Sequence, residues 1–229
     1  MARMKGVFVT GTDTGVGKTQ VSLGIMANLK EHGLRVAGMK PVASGCYREG
    51  PSLRNQDAVL LQAHSSINID YSTVNPYAFE PSVSPHIAAR RQGGEIRLEK
   101  VVDRFRVLQG LAEFVLVEGI GGWQVPLNSN DRLADMATVL GLPVVLVVGL
   151  RLGCLNHAFL TSCAIERSGC TLAGWVGNLT EPGFDYLEEN MESLSQEIPA
   201  PCLGFVPFID DRERAALAGC FELDHWVQD

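Results

Sequence analysis

Short apolar runs alternate along the chain with longer segments whose apolar residues recur at helical spacing. The runs predict buried strands over residues 6–9, 34–39, 114–117, 143–149, 171–176 and 202–206. The helical spacing predicts helices over residues 17–29, 58–63, 85–91, 98–110, 133–140, 152–167, 185–196 and 212–219. Such alternation is typical of a doubly wound, mostly parallel sheet with helices on both faces. We therefore predict an α/β fold, organised as a single domain over residues 1–229.

Two stretches interrupt this alternation. Residues 46–56 are polar and rich in turn formers, so no strand or helix is predicted there. Residues 75–85 contain Pro76, Pro81 and Pro85. Because proline lacks a backbone donor and restricts the chain, this second stretch predicts an irregular crossover.

The composition is that of a globular protein, since 46% of the 229 residues are hydrophobic and 20% are charged. A chain of this length can bury a large core within one domain. The net charge is −7, and the sequence has no cluster of Lys and Arg. Nucleic acid and an anionic membrane are therefore not expected as partners.

Cysteine usage and hydropathy indicate the compartment. The six cysteines form no C-x-x-C pair and predict reduced thiols. The longest apolar run, Leu142–Leu150, is far shorter than the roughly 20 residues of a membrane helix. The first apolar run is too short for a signal peptide. We expect a soluble, cytoplasmic protein.

A glycine-rich loop connects the first predicted strand to the first predicted helix. In the usual phosphate-binding loop the first glycine would stand at Thr12, whereas Gly11 gives one residue more. An ordinary strand–helix turn is the alternative interpretation. The order of strand, glycine loop, Gly-Lys-Thr and helix favours a P-loop NTPase-like domain, with Lys18 at the β- and γ-phosphates and the Thr19 hydroxyl on Mg²⁺.

Polar residues follow the predicted strands at the edge where open α/β sheets bind ligands. Lys40 and Ser44 follow the second strand, Glu118 follows the third, and Asn178 and Phe208 follow the last two. A carboxylate in this position can bind the Mg²⁺ of a neighbouring phosphate. The alternative interpretations are a surface lysine at position 40 and an incidental turn glutamate at position 118.

The residues alone predict a Mg²⁺-nucleotide enzyme or switch of unknown substrate. Asp57 begins a predicted helix, where an acid can simply favour the helix dipole. The five histidines are scattered, and the sequence has no Ser-His-Asp order or zinc spacing. Two lysines, oxygen ligands for Mg²⁺ and a phosphate loop are the components of a phosphoryl-transfer site.

Several segments resemble the dethiobiotin synthetase family over nearly the whole chain. They are Val9–Thr14 with Val16–Thr19, Ala37–Gly38 with Lys40–Gly45, Asn75–Tyr77, Ser84–Ile87, Leu116–Gly119, Leu152–Cys154 with Asn156–Ala158, and Ala173–Val176 with Asn178. The phosphate loop indicates this particular family only in combination with the Lys40 and Leu152 segments. The resemblance implies ATP- and Mg²⁺-dependent closure of 7,8-diaminopelargonate and CO₂ to dethiobiotin, through a carbamate that attacks the γ-phosphate.

The resemblance also implies roles for individual residues. Lys18, Lys40 and Thr14 would be catalytic, and Thr19, Asp57 and Glu118 would bind Mg²⁺. Contacts to ATP are implied for Gly15, Val16, Gly17, Lys18, Thr19, Gln20, Asp57, Glu118, Gly119, Ile120, Gly121, Asn178, Leu179, Pro207, Phe208 and Ile209. Ser44 would contact the substrate. In a homodimer with the site at its interface, a helix start comprising Gly153, Cys154, Leu155 and Asn156 would bind the substrate carboxylate from the other subunit.

Three positions depart from the family's pattern. Gly15 stands where some members have Glu, Leu179 where an acid can occur, and Phe208 where Trp occurs. A nucleotide-driven switch or partitioning ATPase is the main alternative, but it has no reason to contain the Lys40 and Asn156 segments together. An ATP-dependent amidase would need a glutaminase domain, for which 229 residues leave no room.

Overall fold

The computed structural model describes residues 4–208 and 214–227. Its strands are β1 (Gly6–Gly11), β2 (Val36–Met39), β3 (Val42–Ala43), β4 (Tyr47–Glu49), β5 (Ser52–Arg54), β6 (Tyr77–Ala78), β7 (Phe114–Gly122), β8 (Val144–Leu150), β9 (Leu172–Leu179) and β10 (Cys202–Val206). Its helices are α1 (Lys18–Glu31), α2 (Gln56–His64), α3 (Tyr71–Val74), α4 (Pro85–Arg91), α5 (Leu98–Leu111), α6 (Leu133–Leu140), α7 (Cys154–Arg167), α8 (Leu187–Glu197) and α9 (Asp224–Val227). A 3₁₀ helix spans Arg214–Cys220.

Six parallel strands form the central sheet, in the order β10-β9-β8-β1-β7-β2. The chain leaves β1 for β2, returns to place β7 between them, and then adds β8 on the other side of β1. The strand order therefore reverses around β1, and this is where open α/β sheets bind ligands. The predicted doubly wound, mostly parallel α/β fold is confirmed.

Both faces of the sheet are covered, because successive side chains of a strand point in opposite directions. Val7 and Val9 pack on one face with α1 and α9, whereas Phe8 packs on the other with α5 and α6. All six residues of β1 are buried. This double burial explains why the strands have continuous apolar runs rather than an alternating pattern.

The structure differs from the sequence prediction in short or polar segments. The polar stretch at 46–56 contains an antiparallel hairpin of β4 and β5, and the crossover contains β6, which pairs with β3. Strands of two or three residues are too short to show a periodic pattern. The helix predicted over 212–219 is a 3₁₀ helix where it is described, and residues 212 and 213 lie outside the described residues.

Strand β7 continues to Gly122, past the apolar run that predicted it. The extension brings Glu118 beside Val9 of β1 and Gly122 beside Gly11. Across residues 4–208 and 214–227, we find no helix with both the length and the apolar character needed to cross a membrane.

Candidate functional site

A cleft of about 440 Å³ opens at the carboxyl edge of the sheet, beside β1. It is lined by Thr14, Gly15, Gly17, Lys18, Thr19, Gln20, Lys40, Ala43, Ser44, Asn55, Gln56, Asp57, Leu60, Ser82, Glu118, Ile120 and Gly121. A larger hollow of about 750 Å³ lies at the start of α5, but its lining includes no residue of the glycine loop. The cleft thus brings together most of the residues that the sequence predicted for nucleotide and metal.

The glycine loop is held in shape by close packing beneath it. Gly17 has φ 86° and directly precedes α1. A Cβ on Gly11 would lie 2.5 Å from Cγ2 of Val16, whose side chain is buried in the core. No side chain caps the described start of α1, so its first N–H groups remain available. Free N–H groups at the positive end of a helix form an anion site.

Lys18 points into this loop. Its Nζ donates a hydrogen bond to the backbone oxygen of Asp13 at 2.8 Å, and the side chain is largely buried. Burial, followed by the positive charge of Lys40, lowers the pKa of Lys18 to about 8. An incoming phosphate would compensate this charge better than a neutral carbonyl does.

Lys40 is the most strongly bonded side chain of the cleft. Its Nζ lies 2.6 Å from Oε1 of Glu118, 3.0 Å from the backbone oxygen of Gly119 and 3.1 Å from Oδ2 of Asp57. Burial opposes its charged form, but the carboxylates of Glu118 and Asp57 outweigh burial and raise the pKa of Lys40. Lys40 is therefore a buried ammonium ion, and its interpretation as a surface lysine is wrong.

The three predicted metal ligands lie together. Thr19 donates its hydroxyl to Oε1 of Glu118 at 2.9 Å, and Asp57 meets Glu118 through the shared Lys40 ammonium. Burial disfavours ionisation of Asp57, but the Lys40 charge outweighs it and lowers the pKa of Asp57. Glu118 is fully buried, and its Oε2 atom has no hydrogen-bond partner within the described chain.

These groups fit Mg²⁺. An ionised carboxylate, an orphaned buried oxygen and a hydroxyl are the hard donors that this ion prefers. The described residues contain no group of three or more His, Cys, Asp or Glu that could hold a metal by themselves. That agrees with the usual Mg²⁺ site at a nucleotide, where one or two carboxylates share the ion with phosphate oxygens and water.

Asn178 lies beneath the loop rather than in the wall of the cleft. Its Nδ2 donates to the backbone oxygen of Val16 at 2.9 Å, whereas its Oδ1 is buried without a partner among the described residues. A Cβ on Gly17 would overlap Nδ2 of Asn178, so only glycine fits there. The neighbouring Leu179 is partly buried and packs against the core.

The remaining predicted residues lie elsewhere. Pro207 and Phe208 are exposed after β10, and Ile209 lies outside the described residues. Gly153–Asn156 form the start of α7, and none of them lines the cleft of their own chain. The Cys154 side chain is buried in the core, so only its backbone could bind a ligand.

Asp13 and Arg151 are site residues that the sequence prediction missed. Oδ1 of Asp13 accepts the backbone N–H of Thr14 at 2.7 Å, and its Oδ2 accepts a hydrogen bond from Nη2 of Arg151 at 2.7 Å. This pair joins the glycine loop to the segment before α7. Arg151 follows β8 directly, so the strand-end criterion that identified Lys40 and Glu118 could also have identified it.

A second missed feature is a partly buried chain of hydrogen bonds behind Lys40, called the relay below. The backbone N–H of Asn55 donates to the Tyr71 hydroxyl at 2.7 Å, which donates to Oδ1 of Asn75 at 3.0 Å. Nδ2 of Asn75 donates to the backbone oxygen of Lys40 at 2.6 Å. Burial raises the pKa of Tyr71 to about 12, so its hydroxyl stays a donor. The relay fixes the start of α2, and hence Asp57, relative to Lys40.

Solved structures of low sequence identity share this fold. The MinD cell division protein of Aquifex aeolicus matches with a TM-score of 0.57 at 15% identity, over 96% of this chain and 88% of that one. The receptor FtsY of Elizabethkingia anophelis, in complex with GDP, matches with a TM-score of 0.54 at 14% identity, over 90% of this chain and 57% of that one. At such identities the likeness shows the fold alone.

Closer relatives show the family. The model of a family described as AAA domain matches residues 5–216. The ATP-dependent dethiobiotin synthetase BioD of Pseudomonas paraeruginosa is 49% identical over 96% of this chain and 97% of its own length. The BioD protein of Cellvibrio japonicus is 50% identical over 89% of each chain. This chain therefore belongs, within the AAA-domain proteins, to the family of ATP-dependent dethiobiotin synthetases.

Proposed function

We propose that this protein closes the ureido ring of dethiobiotin from 7,8-diaminopelargonate and CO₂, using ATP and Mg²⁺ and releasing ADP and phosphate. The names of the relatives identify dethiobiotin as the product. The observation on which the proposal depends is the buried Lys40 ammonium, in a cleft lined by the glycine loop and by Ser44. A carbamate and a triphosphate repel each other, and a fixed cation between them is what their reaction requires.

The reaction proceeds in three steps. One amine of the substrate adds to CO₂ and loses a proton, which gives a carbamate. A carbamate oxygen then attacks the γ-phosphorus, and the bond to ADP breaks with its electron pair leaving on ADP. The second amine attacks the activated carbonyl carbon and loses a proton, the bond from that carbon to the phosphate oxygen breaks, phosphate leaves with the electron pair, and the five-membered ring closes.

The chain's own residues hold the two anions close together. Lys18 and the N–H groups at the start of α1 bind the β- and γ-phosphates, and Lys40 contacts both the γ-phosphate and the carbamate. Thr14 lies near both groups, and Ser44 orients the substrate. When bound by Thr19, Asp57 and Glu118, Mg²⁺ would neutralise phosphate charge. Positioning of this kind converts an encounter of separate reactants into a reaction within one complex.

The adenine base would lie over Asn178. The partnerless Oδ1 of this residue can accept a hydrogen bond from an exocyclic amino group, which adenine has. Leu179, Pro207, Phe208 and Ile209 would line the base, while the backbone of Gly15–Gln20 and of Gly119–Gly121 would contact the phosphates and sugar. Because Gly15 has no side chain, only its backbone can take part.

We propose a cytoplasmic homodimer as the active form. The start of α7 does not line the cleft of its own chain, and Leu152 beside it is 97% exposed. In the dimer, the helix start at Gly153–Asn156 would bind the substrate carboxylate in the partner's cleft, a further use of a helix N-terminus for an anion. An active site shared in this way requires two-fold symmetry.

Phosphate release from ATP tests the proposed reaction. We expect release only when diamine, bicarbonate and Mg²⁺ are all present, with ¹³C from labelled bicarbonate appearing in dethiobiotin by mass spectrometry. Equal ATP hydrolysis without diamine would instead support the nucleotide switch. Growth of a biotin auxotroph blocked at this step would extend the test to the cell, with Lys40→Ala as the inactive control.

A further inference from the structure

The Lys40 ammonium occupies the position between the two carboxylates that are proposed to bind metal. It lies 2.6 Å from Glu118 and 3.1 Å from Asp57, and the side chain of Lys40 is only 5% exposed. Thr19 is bonded to the same Oε1 atom of Glu118 that Lys40 contacts. One oxygen of each candidate carboxylate ligand is therefore already in contact with an internal cation.

The charges of this cluster balance without a metal. Lys18 and Lys40 supply two positive charges, and Asp57 and Glu118 supply two negative charges. A free Mg²⁺ ion bound to these carboxylates would either lie against the Lys40 ammonium or push it away, while facing Lys18 as well. Like charges brought together in a buried site repel strongly, because little water is present to screen them.

We propose that Lys40 is the internal substitute for Mg²⁺ and restricts the site to the metal–nucleotide complex. This inference rests on the metal site proposed above. When metal arrives with ATP, it takes over Glu118 and Asp57, and the displaced ammonium moves to the γ-phosphate that came with it. Without a nucleotide, the displaced ammonium has no anion to receive it, so free metal is rejected.

The exchange gives one side chain two successive partners. Before nucleotide binds, Lys40 bonds the Glu118 carboxylate and holds it in place. After nucleotide binds, the same ammonium is delivered to the phosphate that the substrate must attack. Metal binding and activation of the γ-phosphate are thereby coupled in one movement of one residue.

Binding of Mn²⁺ to the nucleotide-free protein tests this proposal. The signal of unbound Mn²⁺ in electron paramagnetic resonance reports binding directly, without any turnover. We expect Lys40→Met to bind free Mn²⁺ at least about tenfold more tightly than the unaltered protein does, since two carboxylates lose their internal cation. The matched control is Lys100→Met, because the Lys100 ammonium bonds the backbone oxygen of Pro76 away from the cleft. It should bind Mn²⁺ as the unaltered protein does.

Equal Mn²⁺ affinity of Lys40→Met and the unaltered protein would overturn the proposal. A second measurement needs no variant and therefore does not depend on the folding of Lys40→Met. Free Mn²⁺ should leave the Tm of the unaltered protein unchanged, whereas Mn²⁺ with a non-hydrolysable ATP analogue should raise it more than the analogue alone. One Mn²⁺ per chain bound as tightly without nucleotide as with this analogue would also overturn the inference. Neither measurement detects dethiobiotin, so the outcome for this inference does not depend on whether the proposed reaction occurs.

Discussion

The ion pair of Lys40 with Glu118 in the cleft and that of Arg48 in the β4–β5 hairpin with Glu80 each join a cation to a glutamate, in opposite surroundings. The Lys40 and Glu118 side chains are 5% and 0% exposed, whereas those of Arg48 and Glu80 are 64% and 49% exposed. Arg48 makes two hydrogen bonds to Glu80, at 2.9 and 3.3 Å, so its geometry is good. Water screens the hairpin pair, but no water compensates a lost partner in the cleft. Burial, rather than distance, therefore decides which pair the protein depends on.

Removal of Glu118 should show the largest effect of this difference. Glu118→Ala leaves the Lys40 ammonium buried beside Asp57 alone, and we expect the free energy of unfolding to fall by about 3–5 kcal/mol. Urea denaturation followed by circular dichroism measures this loss. A loss no larger than that of an exposed glutamate would show that the cleft network does not contribute to stability.

Removal of Lys40 should affect catalysis more than nucleotide binding. For Lys40→Ala we expect kcat to fall about 10²–10³-fold, the range found when one preorganised donor to a developing charge is lost. The dissociation constant of ADP should change little, because ADP lacks the γ-phosphate. Lys100→Ala is the control with normal kcat. Weakened ADP binding with unchanged turnover would contradict the role proposed for Lys40.

The lowered pKa of Lys18 in the cleft predicts that nucleotide binding depends on pH. Above pH 8, Lys18 in the free protein loses its proton, yet a bound polyphosphate needs the ammonium. Binding must then take up a proton, so ADP affinity should weaken by up to about tenfold per pH unit from pH 8 to 10. Titration calorimetry measures this slope. In Lys18→Met the affinity should be lower and independent of pH over this range. A flat profile in the unaltered protein would refute the prediction.

Removal of one partner from the exposed Arg48–Glu80 pair should have the smallest effect on the free energy of unfolding. Glu80→Ala removes the partner of Arg48 at the surface, and we expect a loss of only about 0–1 kcal/mol by the same urea assay. High salt should abolish this small difference, because ions screen exposed charges. A loss as large as that of Glu118→Ala would mean that hydrogen-bond geometry matters more than burial.

The sequence predicted most of the sheet because the buried strands of this fold are continuous hydrophobic runs. Strands such as β8 are buried on both faces, and their apolar runs stand out from the polar segments beside them. Helix α5 was predicted over residues 98–110 and spans Leu98–Leu111 in the structure. The hairpin at Tyr47–Arg54 was not predicted, because its side chains are mostly exposed and its strands have three residues each.

The site was predictable where position along the chain reveals function. Lys40 follows β2, Glu118 and Asn178 follow the apolar runs that predicted β7 and β9, and parallel topology brings such residues to one edge. Position along the chain does not show in which direction a side chain points. That Lys40 bonds Glu118, or that Asn178 turns its amide under the loop, depends on packing between residues far apart in sequence.

The central place of β1 in the sheet has a consequence for how the protein is made. Gly6 pairs with Val115 and Phe8 with Val144, so the first strand is bound on both edges only by chain that is synthesised much later. Long-range parallel pairing of this kind folds slowly. We expect the nascent glycine loop to remain unformed on the ribosome until β8 has emerged, with an apolar strand exposed to chaperones in the meantime. Chains that stop before β8 should therefore bind no nucleotide at all.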